Sequence, residues 1–540
     1  MRDLNKALFA IFAVLILNLF VASSNSHAAT AVYVAQAAAG AGDGSSCANA
    51  KGLSGLSSSW SAGTTIHLCG TITSVIQVGG SGSSGNPIVL QWEQGAKLSV
   101  CSTTGALQIV NNSYITVDLG GNTAAITCPN NGASLSSQVN AVGIGSNGNG
   151  WNEVEIRNGT VGPMFVYSGT SNVGFDSVCI NGGNGANNTH IHNLSITGCA
   201  EGMEIDPTAN STDEFDHLTV DASVGRLLNY ATGSSGSINL SNSSFHDNDV
   251  NFTSVWVVPG DYQHYEMIHL YPTGTGNDKI SNFQIYNNYI HGSSPSSNNA
   301  GSTALIFVGT GVGENSTSTS EVKFFNNIIV DTGNSGTGFS SGGGLGAYFY
   351  DQDSYHTLSI YNNTVYVPNG ASNGCFSSAN TGNTHNTWNV YNNICYGPQW
   401  AVYFQSSSSE TWVGSNNIFY NIGNGKWYRG GTTYSSLSAW QTATGQDANS
   451  SSSNPGLNSD YTITGTSSAS YQKGANLTSA GISALNLGAP QTFGQNGSCG
   501  TGCLARPASG AWDLGAYPFS SGGTSTQRPN PPSGLTATVQ

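Results

Sequence analysis

The sequence predicts an all-β chain folded as a right-handed parallel β-helix, in which short strands stack coil upon coil around one core. Two observations predict this fold class. A short asparagine motif recurs through the middle of the chain, and the smallest interval between its copies is 24 residues. In addition, only 8% of the residues are charged and no 3.6-residue apolar pattern is sustained, so long amphipathic helices are not expected. Aromatic residues make up 10% of the chain and short β-branched runs are frequent, which argues against disorder.

The repeated motif consists of an apolar or aromatic residue, Asn, usually a second Asn, any residue and an apolar residue. Copies occupy residues 192–196, 241–245, 286–290, 325–329, 361–365, 391–395 and 415–419, and residues 216–220 fit with His217 in place of the first Asn. From the first Asn (or His217), the intervals are 24, 25, 45, 39, 36, 30 and 24 residues. A constant minimum with variable excess indicates a coil of about 24 residues that accepts loop insertions.

Stacking is required because the alternating strands of one such coil cannot bury their apolar side alone. Parallel strands about 4.8 Å apart place equivalent residues directly above one another. We therefore expect the first Asn of each motif to align along the axis, and Asn at one turn position to form a ladder of amide hydrogen bonds. The final apolar residues should share one continuous core; they are Ile196, Phe245, Ile290, Ile329, Val365 and Phe419. Propeller blades of about 40–45 residues do not explain the 24-residue minimum.

The asparagine repeat and variable coil length resemble the pectate-lyase-like superfamily of right-handed β-helices. The segment Trp512-Asp513-Leu514-Gly515-Ala516-Tyr517 is similar to a closing motif of uncharacterised secreted members. The resemblance spans residues 31–519 and implies three strands per coil, with the ladder between the second and third. It also implies sites on the outer face of the first strand and on the loop before it. This fold hosts lyases, hydrolases and non-enzymes, so the resemblance implies architecture rather than activity.

Both ends of the chain differ from the repeat region. Arg2 and Lys6 precede an apolar run at 7–22, and residues 26–28 resemble a signal-peptidase site, so residues 1–28 are interpreted as a signal peptide. We expect a secreted protein without membrane insertion. Residues 29–519 are expected to form one β-helix domain with its closing segment. The Gly/Ser-rich and Pro-rich residues 520–540 are interpreted as a linker and tail remnant.

The ten cysteines are consistent with export. Taken in order they pair as Cys47/Cys69, Cys101/Cys128, Cys179/Cys199, Cys375/Cys395 and Cys499/Cys503. Sequence alone does not fix connectivity, and buried free thiols are the alternative for Cys375/Cys395. The net charge of −15, with 13 Lys and Arg, argues against a nucleic-acid partner and disfavours polyanionic polysaccharides. A neutral or weakly charged polysaccharide is the expected partner.

Candidate site residues lie on the predicted first strands, at 202–206, 226–230, 267–271, 304–308, 346–350, 375–379 and 401–405. Period-two alternation places six apolar residues inside: Ile205, Ile268, Leu270, Phe349, Val402 and Phe404. Their neighbours are expected on one outer face that runs from carboxylates through a histidine to tyrosines: Glu204, Asp206, His269, Tyr271, Tyr348, Tyr350, Tyr403 and Gln405.

Glu204 and Asp206 are separated by about 6.5–7 Å between α-carbons if both lie on one strand. Carboxyl pairs about 5–9.5 Å apart are typical of glycoside hydrolases. The predicted catalytic residues are Glu204, Asp206, His269 and Asp249. Two solvated acids on a surface strand are the alternative.

The longest interior insertion, residues 247–266, concentrates ionisable residues in a chain with little charge. Asp247, Asp249, Asp261 and Glu266 form a candidate Ca²⁺ site, and the alternatives are an acid/base group over a glycan groove or a merely polar loop. Trp256 is predicted to bind substrate together with Tyr271, Tyr348, Tyr350, Tyr403 and Gln405, because aromatic rings suit sugar surfaces. The sequence thus favours a polysaccharide-cleaving hydrolase or lyase, with a non-catalytic glycan-binding surface or matrix protein as the alternative.

Overall fold

A computed structural model describes residues 30–128, 138–145, 151–165, 177–231, 238–253, 256, 266–271, 279–295, 304–309, 320–341, 344–352, 356–378, 386–405, 410–423, 426–498 and 503–520. Within these residues the chain is a parallel β-helix, because nearly every strand pairs in parallel with the equivalent strands of the coils before and after it. The predicted fold class is confirmed. None of the described helices has the length and apolar character needed to cross a membrane.

One side of the β-helix is a sheet that we name the first-strand sheet. It is parallel throughout except for its last, antiparallel pair. Its described strands are Ile76–Gln77, Leu107–Val110, Val139–Gly145, Ser177–Asn184, Cys199–Ile205, Val224–Ala231, Ile268–Tyr271, Ala304–Val308, Ala347–Asp351, Gly374–Ser378, Trp400–Phe404, Lys426–Arg429 and Thr432–Tyr434.

The remaining sides form one larger sheet of two rows. The second row comprises Ala31–Ala35, Thr65–Leu68, Ile88–Trp92, Ile115–Thr127, Trp151–Val161, Ala186–Ile196, Glu214–Asp216, Ser244–His246, Phe283–Tyr286, Ser320–Phe325, His356–Tyr361, Thr387–Tyr391 and Thr411–Ser415. The third row comprises Lys51–Gly52, Thr71–Ile72, Lys97–Ser99, Thr219–Val220, Asp249–Asn251, Tyr289–Gly292, Ile328–Asp331, Thr364–Tyr366, Ile394–Tyr396 and Ile418–Tyr420. Two small pairs join Asn239–Ser241 to Lys279–Ser281 and Ser340–Ser341 to Gly344–Leu345.

Helical structure is sparse. The described residues include one α-helix, Leu437–Thr444, and short 3₁₀ turns at Cys47–Asn49, Leu53–Gly55, Thr478–Ala480, Ser483–Asn486 and Gly494–Asn496. The α-helix ends the β-helix beside the buried Asp447, whose carboxylate accepts hydrogen bonds from the indoles of Trp412 and Trp440 at 2.7 and 2.9 Å.

The interior is one continuous apolar cluster that extends from Val34 to Trp440. The six predicted inward residues of the asparagine motif all belong to it and are at most 2% exposed. The predicted 24-residue minimum coil is also confirmed, since Asn393 bonds to Asn417 across a separation of 24. Larger separations arise where loops are inserted between coils.

The asparagine ladder exists, but the second residue of the motif forms it. Consecutive side-chain amides bond at 2.9–3.1 Å, from Asn248 through Asn288, Asn327, Asn363 and Asn393 to Asn417. The first residue instead turns the chain in the left-handed region, with φ between +51° and +63° at Asn193, His217, Asn287, Asn326, Asn362, Asn392 and Asn416. Asn tolerates this conformation better than most residues. The predicted alignment of the first Asn is observed, since Tyr361 pairs with Tyr391 and Asn392 donates to Asn362 at 3.1 Å, but the continuous ladder is formed by the second residue.

One predicted copy of the motif was out of register. His246 pairs with Tyr286, and Asp247 has the left-handed φ of +57°, so residues 246–250 are the true equivalent of 286–290. Residues 241–245 surround the preceding turn at Asn242. The cause is that Asp247 replaces the first Asn, whereas Asn242 occurs at a second left-handed turn of the same coil.

Four predicted cysteine pairs are confirmed as disulfides: Cys47–Cys69, Cys101–Cys128, Cys179–Cys199 and Cys375–Cys395, with Cα separations of 4.6–6.4 Å. The alternative of free thiols at Cys375/Cys395 was wrong. Cys499 of the fifth pair lies outside the described residues. Closing loops of this size stabilises a fold by about 3 kcal/mol each in the chain-entropy account.

The segment after residue 454 packs against the turns of the motif. In four copies the first Asn donates its side-chain amide to a carbonyl of this segment at 2.7–2.9 Å, pairing Asn326 with Leu487, Asn362 with Asp513, Asn392 with Ala475 and Asn416 with Lys473. Gly515 has a φ of +80°, and a side chain there would lie 2.7 Å from Ile394. The motif at 512–517 therefore needs its glycine for close packing.

Candidate functional site

The outer face of the first-strand sheet carries one continuous row of side chains, which we name the outer row. Register partners on successive coils align Glu204, Asn229, His269, Phe307, Tyr350, Ser377, Tyr403 and Tyr428. The row runs from a carboxylate through a histidine to aromatic rings. Because adjacent coils are about 4.8 Å apart, Glu204 and His269 are separated by about 9.6 Å along the axis.

An irregularity in each strand explains which side chains reach this face. Leu227 and Leu228 both donate their backbone N–H to the carbonyl of Met267, and both side chains lie in the core. Two successive inward residues interrupt strict alternation, as in a β-bulge. Arg226 and Asn229 on either side of the pair consequently lie on the outer face.

The same irregularity places Tyr348 inside, together with Phe349. Tyr348 is fully buried, and its hydroxyl donates to the carboxylate of Asp331 at 2.7 Å. Its predicted role in substrate binding was wrong, since neither ring face is open to a ligand. Tyr350 does belong to the outer row but is only 4% exposed, because its ring stacks on Phe307 at 5.2 Å.

A charge cluster surrounds the start of the outer row. Arg226 donates to Glu201, its register partner on the previous coil. Burial lowers the pKa of the Arg226 guanidinium, because it disfavours the charged form. The negative charges of Glu201, Glu266 and Glu204 outweigh burial, so the pKa is raised. Four charged side chains from three coils therefore converge here. Strict alternation along the strand from Gly202 did not predict that Glu201 would be one of them.

The carboxyl of Asp206 is the one whose pKa matters most for chemistry. Burial, reinforced by the negative charge of Glu201 and opposed by Arg226, raises its pKa to about 6. Burial likewise raises the pKa of Glu201. Glu204 and Asp206 are both half-buried and two residues apart, on one face of the same strand and its continuation.

Several polar atoms of this cluster are buried yet make no hydrogen bond to the described residues. They are Oδ1 of Asp206, Oε2 of Glu201, Nε of Arg226 and Oδ1 of Asn229. Buried polar atoms normally find partners. Unpaired buried groups of this kind are costly, which marks the cluster as a polar site rather than as ordinary packing.

His269 is 7% exposed and lies between two rings, 5.1 Å from Tyr271 and 4.7 Å from Phe307. The structure thus brings Glu204, Asp206 and His269 onto one face, with Asn229 between Glu204 and His269.

The predicted calcium ligands do not meet at one point. Asp247 bonds to His246 at 2.7 Å, and Asp249 bonds to His291 at 2.9 Å on the third row. Glu266 instead belongs to the charge cluster of the first-strand sheet. Asp261 lies outside the described residues. A calcium site built from all four, and a catalytic role of Asp249 beside Glu204, are therefore not supported, because Asp249 lies in a turn and strand of the other sheet.

Trp256 is buried, at 3% exposure, where its indole donates to the carbonyl of Ser223 at 3.0 Å. It also packs at 5.6 Å from Phe165. Its predicted role in substrate binding is corrected accordingly: the ring supports the coil and is closed to a sugar.

An aromatic patch ends the outer row. Tyr403 stacks on Tyr428 at 4.7 Å, and Trp400 meets Tyr403 edge-on at 5.0 Å. All three are partly exposed, as is Gln405 at the end of the strand. Trp400 and Tyr428 were missed in the sequence, although Tyr428 follows Tyr403 by 25 residues, close to one coil.

No protein-family profile matches this sequence, and no curated protein matches it significantly. Two solved structures of GH136 lacto-N-biosidase from Eubacterium ramulus, the native protein and its selenomethionine derivative, show 10% identity to the chain with TM-scores of 0.29 and 0.28. Each match covers 74% of this chain and 67% of the other. At such TM-scores the likeness carries no argument about fold or activity. The β-helix rests on the strand pairing itself, and membership of the pectate-lyase-like superfamily stays a prediction.

Proposed function

We propose that this chain is a secreted glycoside hydrolase that cleaves a neutral or weakly charged polysaccharide on the outer face of its first-strand sheet. One observation carries the proposal. Asp206 has a carboxyl pKa raised to about 6 and directly follows the strand Cys199–Ile205, two residues after the carboxylate of Glu204. Glycoside hydrolysis requires a carboxyl group that can still donate a proton near neutral pH and a second carboxyl group beside it.

In the proposed mechanism, Asp206 is the acid. It gives its proton to the glycosidic oxygen as the bond from that oxygen to the anomeric carbon breaks, and the alcohol of the leaving sugar departs neutral. Glu204 supplies the electron pair at the anomeric carbon, either directly or by removing a proton from the attacking water. After direct attack, water that gives its proton to Asp206 breaks the bond between Glu204 and the anomeric carbon, which restores both groups. After attack by water, the proton held by Glu204 passes through solvent to Asp206.

The residues around the pair bind and orient substrate in this proposal. The guanidinium of Arg226 pairs with Glu201 and holds it in place beneath the proposed groove. Tyr271, beside His269 on the same strand, and Tyr403, farther along the outer row, offer ring faces that suit the apolar faces of sugar rings.

The second candidate is a non-catalytic glycan-binding protein, and the exposed patch of Trp400, Tyr403 and Tyr428 favours it. Aromatic patches alone bind sugars without cleaving them. Convergence of Glu201, Glu204 and Asp206 around one arginine favours the enzyme, since a binding surface has no need of a carboxyl group with a raised pKa.

A panel of purified polysaccharides tests the proposal. New reducing ends without a rise in absorbance at about 235 nm indicate hydrolysis, whereas a rise at that wavelength indicates a lyase. We expect Glu204→Gln and Asp206→Asn each to lower the rate by about 10²-fold or more. Asp221→Asn is the matched control, because Asp221 is exposed and bonds to Thr197 and Ser223 away from this face.

Binding without product formation, on every polysaccharide that binds, would establish the non-catalytic alternative. Full activity in both carboxylate variants would place the chemistry on another face.

A further inference from the structure

A second polar site lies on the other sheet, where the second row begins to carry histidines. Glu155, His190 and His192 offer ligand atoms that all lie within 4.8 Å of one another. We propose that these three side chains bind one divalent transition-metal ion of the Zn²⁺ class, with a water-accessible position left open. The proposal is independent of the hydrolase assignment, since none of its residues lies on the first-strand sheet.

Strand register explains how the three side chains meet. Glu155 is the direct partner of His190 on the adjacent coil, and His192 follows His190 by two residues on the same face. The imidazole rings stack with centroids 4.0 Å apart, and Nε2 of His192 lies 3.0 Å from Oε1 of Glu155. Three side chains on two paired strands are held more rigidly than side chains on loops.

Neighbouring groups orient two of the three ligands. Asp216 on the next coil lies 2.7 Å from Nε2 of His190. The hydroxyl of Thr116 donates to Oε2 of Glu155 at 3.0 Å. A carboxylate that accepts the second ring N–H of a histidine fixes the ring orientation in metal sites.

The local charge favours a cation. Among the described residues, the ion pairs of this face contain four carboxylates. Arg157 pairs with Asp118 and Glu155, and histidines pair with Glu155, Glu214 and Asp216. Four carboxylates against one arginine leave this face negative when the imidazoles are neutral, the form in which they bind metals.

An open cleft adjoins the cluster. It has a volume of about 250 Å³ and is lined by Glu155 and His190 together with Tyr114 and Thr116. An ion on the two histidines and the glutamate therefore has room for a water molecule or a small ligand as a further partner. Two histidines, one carboxylate and an open position are the donor set that zinc uses in catalytic sites.

The donor types select the metal. Imidazole suits zinc, copper, iron and nickel, whereas Ca²⁺ and Mg²⁺ prefer sites made of oxygen. The same residues without an ion would be a network of surface ion pairs, which contributes little to stability. Metal binding distinguishes the two.

The test uses the full mature chain without a histidine tag, treated with a chelator and dialysed. Titration calorimetry with Zn²⁺ alone, and metal analysis after dialysis, are expected to show one ion per chain. Co²⁺ in place of Zn²⁺ should give visible absorption bands, a readout that does not depend on activity. His190→Ala, His192→Ala and the conservative Glu155→Gln are each expected to weaken binding by about 10-fold or more.

The matched control is His291→Ala. His291 also pairs with one carboxylate, Asp249, at 2.9 Å on the larger sheet, but it belongs to no such triad among the described residues. Its variant should bind Zn²⁺ like the parent chain. The proposal is overturned if the parent shows no stoichiometric binding, or if binding survives in His190→Ala/His192→Ala while circular dichroism shows that the variant is folded.

Discussion

At the scale of single residues, burial rather than residue type decides what the outer face can do. Period-two alternation placed Glu204 and His269 correctly beside inward Ile205 and Leu270. It failed at Tyr348, because two successive residues of each strand face the core there and the pattern slips by one. Glu201 was missed for the same reason. Apolar pairs at one position of several described coils, such as Leu227-Leu228 and Leu305-Ile306, were the signal that could have revealed the slip.

The first prediction concerns Glu201→Gln and pH. A proton donor acts only while protonated, so the rate is expected to fall as pH rises through the Asp206 pKa of about 6. Removing the negative charge of Glu201, while Arg226 keeps its positive charge, stabilises the Asp206 carboxylate. The descending limb of kcat/KM against pH should therefore move to lower pH. An unmoved limb, or one displaced to higher pH, contradicts the role of Asp206.

The second prediction separates an exposed from a buried tyrosine. Tyr403→Ala should raise KM several-fold with little change in kcat, because it removes a ring face from the proposed groove. Tyr348→Phe should leave KM unchanged and lower the free energy of unfolding by about 1–3 kcal/mol, since Asp331 loses a buried donor. Steady-state kinetics and urea unfolding of both variants measure these effects. A raised KM in Tyr348→Phe would show that its ring reaches the substrate after all.

At the scale of elements, one dipeptide does two different tasks in each coil. The first Asn turns the chain and, in the later coils, holds the closing segment, while the second Asn bonds to the coils on both sides. The sequence predicts that some asparagine stacks, but periodicity alone does not distinguish two adjacent residues. The distinction comes from φ, since only one of the two positions lies in the left-handed region.

The third prediction tests the ladder. Asn363 is fully buried, donates to Asn393 and Phe324, and accepts from Asn327. Asn363→Ala leaves these partners unsatisfied, so we expect a loss of about 2 kcal/mol or more in the free energy of unfolding. Asn369→Ala, which removes one exposed hydrogen bond to Thr332, should change it by less than about 0.5 kcal/mol. If urea unfolding shows equal losses of unfolding free energy in both variants, the ladder contributes no more to stability than an exposed hydrogen bond does.

The fourth prediction concerns a buried carboxyl at the edge of the second row. Glu410 is 2% exposed and accepts from the indole of Trp388 at 2.7 Å. Burial, with Asp351 adding to it and His356 opposing it, raises its pKa to about 7. A carboxyl whose folded pKa exceeds its unfolded value stabilises the fold at low pH, and that contribution is lost as pH rises through about 7.

Glu410→Gln removes this dependence. The melting temperature of the parent chain should fall between about pH 5 and pH 7, and that of the variant should fall less over the same interval. Parallel melting curves across that range would mean that Glu410 is not protonated in the folded chain.

At the scale of the whole molecule, the repeat predicted the β-helix because each coil is too small to fold alone and must match its neighbours. Pairing the cysteines in sequence order correctly predicted four disulfides. The grouping of functional side chains was less predictable. Asp249 and Glu266 are near one another in sequence but lie on different sheets, whereas Glu155 and His192 are 37 residues apart and bond at 3.0 Å. Loop insertions of varying length hide such contacts, since coil register is not readable from spacing alone.

The central claim is that Asp206 protonates the leaving group of a glycan, and a comparison of two substrates tests it most directly. The kcat of Asp206→Asn is measured on the natural polysaccharide and on an aryl glycoside whose phenol leaves without protonation. The account predicts a loss of about 10²-fold or more on the polysaccharide and a far smaller loss on the aryl glycoside. Equal losses on both substrates, or no loss on the polysaccharide, would contradict it.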